Sequence, residues 1–163
     1  MARWIAASLE IAAVALCASC GAEPELPEFG YLAYLDRPAT GAHVLAAETS
    51  GATYVLPLRL VNAVYVWGPL LDSEVRAAIP DVSRVTPTYG GRLAIVEVSA
   101  RTVDSATAAD VAWMLAANAH SASFYPEGDT LVAAVFRIDS VDALLANPRF
   151  TRFTLAPITH VLN

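Results

Sequence analysis

The sequence predicts an α+β protein in which two similar βαββαβ units follow one another and pack their antiparallel sheets together. Three observations lead to this prediction: an internal repeat, the order of elements within each copy, and strands that are apolar on both faces. The chain has 163 residues, of which 56% are hydrophobic. This length and composition provide enough apolar material for the core of two small units.

The first 22 residues differ in composition from the rest of the chain. Arg3 gives a positive start, an apolar run follows, and small residues come after it, which is the layout of a signal peptide. Residues 16–21 resemble a bacterial lipobox with Cys20 as the lipid acceptor. Because Glu10 interrupts the apolar region, a non-cleaved anchor and a misassigned start are the alternatives. We expect residues 1–22 to direct export to a bacterial envelope, with the protein either periplasmic or anchored by lipid.

Residues 23–29 are acidic and rich in proline, which is typical of an extended linker. Both cysteines, Cys17 and Cys20, lie within the predicted signal peptide, and no cysteine follows them. The mature chain therefore depends on packing rather than on an internal disulfide.

An internal repeat divides the remainder into residues 30–89 and residues 90–163. Matching blocks occur in the same order in both halves, which alanine richness alone does not explain. The matched blocks are residues 42–55 with 112–125, 60–65 with 131–136, Asp72-Ser73 with Asp139-Ser140, and 80–86 with 148–154. The first of these blocks places His43 opposite Trp113.

The second copy has the clearer element signals. Thr107 and Asp110 form a capping box, the pattern that opens a helix, and Pro148 ends a short segment capped by Asp139 or Ser140. The predicted elements are a strand over 91–99, a helix over 107–119, strands over 121–125 and 130–138, a short helix from 139 or 140 to 147, and a strand over 150–158.

The first copy follows the same order. Its stretch 42–48 alone is ambiguous between helix and strand, and the better-capped second copy decides for helix. The predicted elements are a strand over 30–36, a helix over 40–49, strands over 52–56 and 58–67, a helix over 71–79, and a strand over 82–88. Residues 89–91 join the copies.

The order strand–helix–strand–strand–helix–strand is the ferredoxin-like arrangement, with a four-stranded antiparallel sheet and both helices on one face. In both copies the long strands carry apolar side chains on both faces, as residues 60–67 and 131–138 show. A sheet that is apolar on both sides must be covered on both sides. The simplest cover is the sheet of the other copy.

The closing segment, residues 139–150 and 156–158, resembles the end of YCII-like and stress-responsive Dabb-like members of the dimeric α+β barrel superfamily. The resemblance implies a fused pair of ferredoxin-like units related by a pseudo-twofold axis. It transfers no functional residue, because some members are enzymes, some bind haem and many have no known activity.

Charge and motifs exclude several functions. The net charge of −6 and the absence of a basic cluster argue against nucleic acid as a partner and leave membrane contact to the leader or a lipid anchor. His43, His120 and His160 have no metal-ligand spacing. No nucleophile motif occurs, so we predict no metal, no cofactor and no catalytic residue.

Polar residues that interrupt apolar strands are the candidate ligand-binding residues. Glu97, Arg137 and Asn62 each fall within a predicted strand, and Arg84 and Arg152 occupy matching positions in the two last strands. If they face the space between the sheets, they would line a pocket for a small polar or anionic ligand. The alternative is an ion pair of Glu97 with Arg137 at a sheet edge, with Arg84 and Arg152 in solvent.

These features favour a non-catalytic binding or scaffold module of the cell envelope, whose partner is an unidentified protein or a small polar ligand. The alternative is a small α+β-barrel enzyme, or a haem- or small-ligand-binding protein, that uses a cavity between the two sheets. A third hypothesis, an inhibitor or chaperone-like domain, has no specific support in the sequence.

Overall fold

The computed structural model describes residues 27–89, 91–124 and 130–158. The predicted signal peptide with Cys20, and His160, lie outside the described residues. Unit 1 comprises β1 (Phe29–Leu35), α1 (Gly41–Thr49), β2 (Tyr54–Leu58), β3 (Ala63–Gly68), α2 (Asp72–Ala78) and β4 (Val82–Thr88). Unit 2 comprises β5 (Ile95–Thr102), α3 (Ala108–Ala116), β6 (Ser121–Phe124), β7 (Leu131–Arg137), a 3₁₀ helix (Ile138–Ala146) and β8 (Phe150–Pro157).

Each unit forms one four-stranded antiparallel sheet. The strand orders are β2-β3-β1-β4 and β6-β7-β5-β8, so the first and third strands of each unit are the central pair. The first strand of each unit, β1 or β5, has an irregularity in its pairing with the last strand of the same unit. The predicted α+β class and the two ferredoxin-like units are therefore confirmed.

The helices of the two units correspond in a register that differs by one turn from the one that the sequence match predicts. Thr40 precedes α1 as Thr107 precedes α3, and the third helical residues, His43 and Asp110, are both buried. The equivalent of His43 is therefore Asp110, and the pairing of His43 with Trp113 is wrong. Both helices are rich in alanine, so a shift of one turn preserves most of the matches.

Of the two matched sequence blocks in strands, one is out of register in the structure and one is in register. Ala63 and Leu131 occupy equivalent positions at the start of β3 and β7, so the pairing of Leu60 with Leu131 slips in the same direction. Val82 and Phe150 each pair with the last residue of the central strand of their unit. The block that contains these two residues is in register.

Two strands begin later than the sequence indicates. The third strand begins at Ala63 rather than at residue 58, and the fifth begins at Ile95 rather than at residue 91. Residues 59–62 instead form the turn between β2 and β3, and this turn is held by unit 2. The backbone N–H groups of Arg59 and Leu60 donate to the carboxylate of Asp142 at 3.1 and 2.8 Å.

The segment predicted as a short helix in unit 2 is a 3₁₀ helix of nine residues. Its buried side chains are Ile138, Val141 and Leu144, which recur every third residue. A 3₁₀ helix has three residues per turn and places such side chains directly above one another. The spacing of the apolar residues therefore matches this geometry better than that of an α-helix.

Two apolar clusters form the core. One lies in unit 1 between its sheet and its helices, and its members include Val64, Val66 and Val75. The other joins side chains of both units: Leu32, Leu58 and other residues of unit 1 pack in one cluster with the core of unit 2. For unit 1, the prediction that the apolar sheet face away from its own helices is covered by the other unit is confirmed.

The sheet of unit 2 is covered less completely than the sheet of unit 1. On its face away from the helices, Ala133 and Val135 are half-buried, while Ile95 and Glu97 are exposed. The corresponding face of the unit 1 sheet carries Leu32, which is fully buried. The two units are thus alike in topology but not in exposure.

Within the described part of the chain, the structure contains no helix with the length and apolar character needed to cross a bilayer.

Contacts between the units also include polar ones: the Tyr34 hydroxyl donates to the carbonyl of Leu155 at 2.7 Å. The Tyr65 hydroxyl donates to the carbonyl of Gly91, in the segment that joins the units, at 2.9 Å.

Candidate functional site

The polar residues singled out in the sequence lie on different surfaces. Glu97 and Arg137 occupy one face of the neighbouring strands β5 and β7, and both are exposed. Among the described residues no ion pair joins them, because the Arg137 guanidinium binds Asp139 instead. Asn62 lies in an exposed turn of unit 1 rather than in a strand. These three residues therefore do not form a common site.

Arg84 and Arg152 are also separated. The Arg84 guanidinium lies 4.2 Å from the centroid of the Tyr34 ring, on the sheet of unit 1. Arg152 is exposed and has a positive φ of 49°, at the irregularity of β8. In the described residues no hydrogen bond or ion pair links Arg84 or Arg152 to the other three candidates. Their role in ligand binding stays a prediction without geometric support.

An ionic cluster around the buried carboxylate of Asp110 extends the predicted capping box at the start of α3 with an arginine that the sequence did not reveal. The carboxylate of Asp110 is only 2% exposed and accepts hydrogen bonds from the backbone N–H and the hydroxyl of Thr107, both at 2.9 Å. The Arg149 guanidinium donates to the same carboxylate at 2.8 and 3.1 Å. Arg149 also lies 2.8 Å from Asp104. The cluster joins the helix start to the chain before β8.

Unit 1 has an equivalent cluster in which the charges are reversed. His43 is buried, and its Nδ1 accepts the backbone N–H of Thr40 at 2.9 Å. The ring proton is therefore assigned to Nε2, which lies 3.6 Å from the Asp81 carboxylate. The Arg37 guanidinium donates to the same oxygen, Oδ2 of Asp81, through Nε at 2.7 Å.

The two clusters have corresponding positions but opposite signs. Asp81 of unit 1 stands where Arg149 stands in unit 2, and Arg37 stands where Asp104 stands. Hydrogen bonding by Arg149 holds the pKa of Asp110 below its ordinary value, and Arg37 does the same for Asp81. Both clusters satisfy helix starts and connect secondary elements, which is a structural role. A repeat aligned in the correct register would have revealed them.

The best-formed concave site lies at the start of β1 and is called the β1 pocket below. Its volume is about 430 Å³, and it opens to solvent on one side. Among its described lining residues, four are aromatic, one is acidic and none is basic. The lining residues are Glu28, Phe29, Gly30, Tyr31, Trp67, Pro87, Thr88, Tyr89 and Gly91.

Gly30 forms the floor of the β1 pocket. It pairs with both Trp67 and Thr88, so the side chains of these two residues flank it on one face of the sheet. A Cβ atom on Gly30 would stand 2.3 Å from Thr88 Oγ1 and 2.8 Å from Tyr65 Oη. Any side chain here would therefore collide with two hydroxyl groups. The absence of a side chain opens the pocket and leaves these hydroxyls at its base.

The Thr88 hydroxyl is the unusual group in the β1 pocket. Thr88 is 8% exposed, and its Oγ1 has no hydrogen-bond partner among the described residues. A buried hydroxyl without a partner costs about 1–3 kcal/mol, so such groups need an explanation. Burial raises the pKa of the neighbouring Tyr65 hydroxyl and the nearby Thr88 hydroxyl lowers it, while the Tyr65 hydroxyl donates its own hydrogen bond to the carbonyl of Gly91.

The carboxylate of Glu28 stands at the rim of the β1 pocket. It accepts a hydrogen bond from the indole N–H of Trp67 at 2.8 Å and another from the Thr53 hydroxyl at 2.9 Å. These two bonds orient the carboxylate and fix the Trp67 ring against the strand. The pocket thus combines an oriented negative charge, aromatic surface and a buried free hydroxyl.

A second depression lies between α1 and α2 and is shallower. It has a volume of about 480 Å³ but is more open to solvent than the β1 pocket. Alanine, leucine and small hydroxyl side chains line it, and it holds no charged group. The β1 pocket is therefore the better candidate for a specific site.

The Asp110–Arg149 pair predicts a pH-dependent contribution to stability. Because the folded pKa of Asp110 lies below its ordinary value of 3.8, this contribution is complete above that pH and is lost as the pH falls through the folded pKa. Arg149→Met leaves a buried carboxylate without its partner, so we expect a clear loss of stability at pH 7 and a smaller loss at pH 3, below the ordinary pKa of 3.8. Urea unfolding at both pH values measures this.

Arg37→Met is the matched control, since its partner Asp81 is more exposed and solvent screens the pair. We expect this variant to lose much less stability at pH 7 than Arg149→Met. Equal losses in the two variants, or an Arg149→Met loss that is the same at both pH values, would contradict the assigned role of the buried pair.

The free hydroxyl of Thr88 makes a second prediction. Thr88→Val removes a buried polar group without a partner and keeps the side-chain shape, so the free energy of unfolding should stay equal or rise by up to about 1 kcal/mol. Thr102 is also buried, but its hydroxyl contacts the carbonyls of Asp104 and Thr130. Thr102→Val should therefore cost about 1–3 kcal/mol. Chemical denaturation of both variants tests this, and a similar loss in both would show that Thr88 has a partner.

Within the described residues, no group of three or more His, Cys, Asp or Glu side chains is placed to hold a metal ion. His43 is committed to the start of α1, and His120 is exposed. No known family model, curated protein or solved structure matches the chain. The chemistry of the β1 pocket therefore has to be derived from its own geometry.

Proposed function

We propose that this chain is an exported protein of the cell envelope that acts as a non-catalytic binding module, with the β1 pocket as its binding site. The location is supported by the signal-peptide pattern of residues 1–22 and by the acidic, proline-containing linker after it. The binding role is supported by the pocket. The two parts of the proposal rest on separate observations and are tested separately.

The observation that supports binding most directly is the buried hydroxyl of Thr88 above Gly30. Valine in place of Thr88 would fit the same strand without leaving an unpaired polar group. The β1 pocket remains open only because residue 30 is glycine. A free buried hydroxyl beside an open pocket is what a ligand-binding site needs when its ligand supplies the missing partner.

The charged groups elsewhere support the same assignment. The Asp110 carboxylate is bonded to Thr107 and Arg149 at the start of α3, and the Asp81 carboxylate is bonded to Arg37. The apolar side chains Leu32, Leu58 and Tyr65 are buried where the units meet, at the place where a cavity between the sheets would be. The β1 pocket, at one end of the unit 1 sheet, combines open space with oriented polar groups.

The exported location predicts a shortened mature chain. When the complete gene product is expressed in a bacterial host, we expect the purified protein to lack its leader because a signal peptidase removes it. Intact-mass analysis shows which residue is first. A lipid-modified Cys20 at the N-terminus and release from membranes in Cys20→Ser, but not in Cys17→Ser, would identify a lipoprotein. A retained Met1 would contradict export by a cleaved leader.

The binding role predicts that a side chain at residue 30, which would fill the base of the β1 pocket, abolishes binding. We expect ligand-observed NMR with a library of small polar compounds to find ligands of the full chain that Gly30→Ala no longer binds. Gly41→Ala is the matched control, because a Cβ at residue 41 meets no atom within 4 Å. If Gly30→Ala proves unstable, Thr88→Val provides the same comparison without added bulk.

Two outcomes would contradict the binding role. The first is that no compound binds to the wild-type chain. The second is that the compounds bind equally well to wild type, Gly30→Ala and Thr88→Val, which would place them elsewhere on the molecule.

A further inference from the structure

Three hydrogen-bond donors in and beside the β1 pocket are used within the protein. The indole N–H of Trp67 and the hydroxyl of Thr53 both donate to Glu28, and the Tyr65 hydroxyl donates to Gly91. The buried hydroxyl of Thr88 has no partner among the described residues. What Glu28, Tyr65 and Thr88 offer a ligand is chiefly acceptor capacity: remaining lone pairs on the Glu28 carboxylate, on Tyr65 Oη and on Thr88 Oγ1. A ligand that complements these groups must be rich in donors.

The charge around the β1 pocket is negative. Glu28 carries the one carboxylate among its described lining residues. Burial raises the pKa of the lining residue Tyr31, and the nearby carboxylates of Asp72 and Glu74 raise it further. The chain as a whole carries a net charge of −6. Both the local and the overall field therefore attract a cation.

The walls of the β1 pocket suit a cation as well. The aromatic residues Phe29, Tyr31, Trp67 and Tyr89 line it, and Trp67 lies on the same sheet face as Gly30 and Thr88. An aromatic face attracts a positive charge placed over it. The same unit already shows this interaction twice. The guanidinium groups of Arg84 and Arg92 lie 4.2 and 4.6 Å from the centroids of Tyr34 and Tyr54. Neither arginine lines the β1 pocket.

We propose that the β1 pocket binds a primary ammonium group carried on a short apolar stem. The ammonium N–H groups donate to the Glu28 carboxylate and to the Thr88 hydroxyl, and the stem packs against Trp67. This assignment rests on the proposed binding function and specifies its ligand class. A quaternary ammonium ion has charge but no N–H, so it leaves Thr88 unpaired and binds less well. An anion meets Glu28 and is repelled.

The probe that tests this is n-butylammonium, with 1-butanol as a neutral compound of the same length. Butyrate supplies the opposite charge, and tetramethylammonium supplies a cation without N–H donors. The readout is the indole N–H signal of Trp67 in ¹⁵N NMR spectra of the full chain, since this group touches the pocket and bonds to Glu28. The expected order of affinity is n-butylammonium, then tetramethylammonium, then 1-butanol, with no binding of butyrate.

Single substitutions identify the groups that recognise the ammonium. Glu28→Gln should weaken n-butylammonium binding by about 5- to 30-fold, the change that corresponds to 1–2 kcal/mol, and leave 1-butanol binding unchanged. Thr88→Val should weaken n-butylammonium binding while keeping or raising stability. Glu48→Gln, which removes an exposed charge on α1, is the matched control and should not change binding.

The outcomes separate this inference from the proposed function. If 1-butanol binds as tightly as n-butylammonium and Glu28→Gln changes neither, the pocket binds ligands but does not select a cation, and the inference is overturned alone. Tighter binding of butyrate than of n-butylammonium overturns it as well. If no probe shifts the Trp67 signal and the wider library yields no ligand either, the inference and the binding role fail together.

Discussion

The packing of the unit 1 sheet against unit 2 is the interaction on which the rest of the structure depends. Leu32, Leu58 and Tyr65 lie on the face of that sheet that its own helices do not cover, and all three are buried. They belong to the same apolar cluster as the core of unit 2. A small four-stranded sheet with helices on one face buries too little apolar surface to be stable with its other face in water. The second unit supplies the missing cover.

This packing also builds the β1 pocket. Tyr65 belongs to the cluster shared by the units, and its hydroxyl reaches the segment that joins them at Gly91. The position of this hydroxyl, together with Thr88 on the edge strand, defines the space above Gly30. The pocket is therefore formed by a central strand, an edge strand and the connection between the units.

Much of the fold could be predicted from the sequence because it depends on periodic patterns. The capping box at Thr107 and Asp110, the apolar strands and the order of elements all gave correct topology. The register of the repeat could not be obtained in the same way, because alanine matches alanine after a shift of one helical turn. The true equivalence of His43 with Asp110 joins residues of different chemistry, which similarity does not detect.

The candidate site was harder to predict than the fold. Glu97 and Arg137 attracted attention as polar residues in apolar strands, yet both reach solvent at the less covered face of unit 2. Gly30 and Thr88 gave no signal, since a glycine and a threonine at strand ends are ordinary. Their importance arises only when strand pairing places them side by side, which is a property of tertiary structure. Glu28 fell within the predicted linker, where an acidic residue reads as part of a solvated tether.

The dependence of the two units on their shared cluster is tested most directly by urea unfolding of the full chain, followed at the indole N–H signals of Trp67 in unit 1 and Trp113 in unit 2. Both signals should disappear in one transition. Leu32→Ala should lower the free energy of unfolding by about 2–5 kcal/mol at both probes, whereas Leu45→Ala, at a side chain that is 62% exposed, should change it by less than about 0.5 kcal/mol. A Leu32→Ala variant in which Trp67 unfolds early while the midpoint for Trp113 is unchanged would contradict the account.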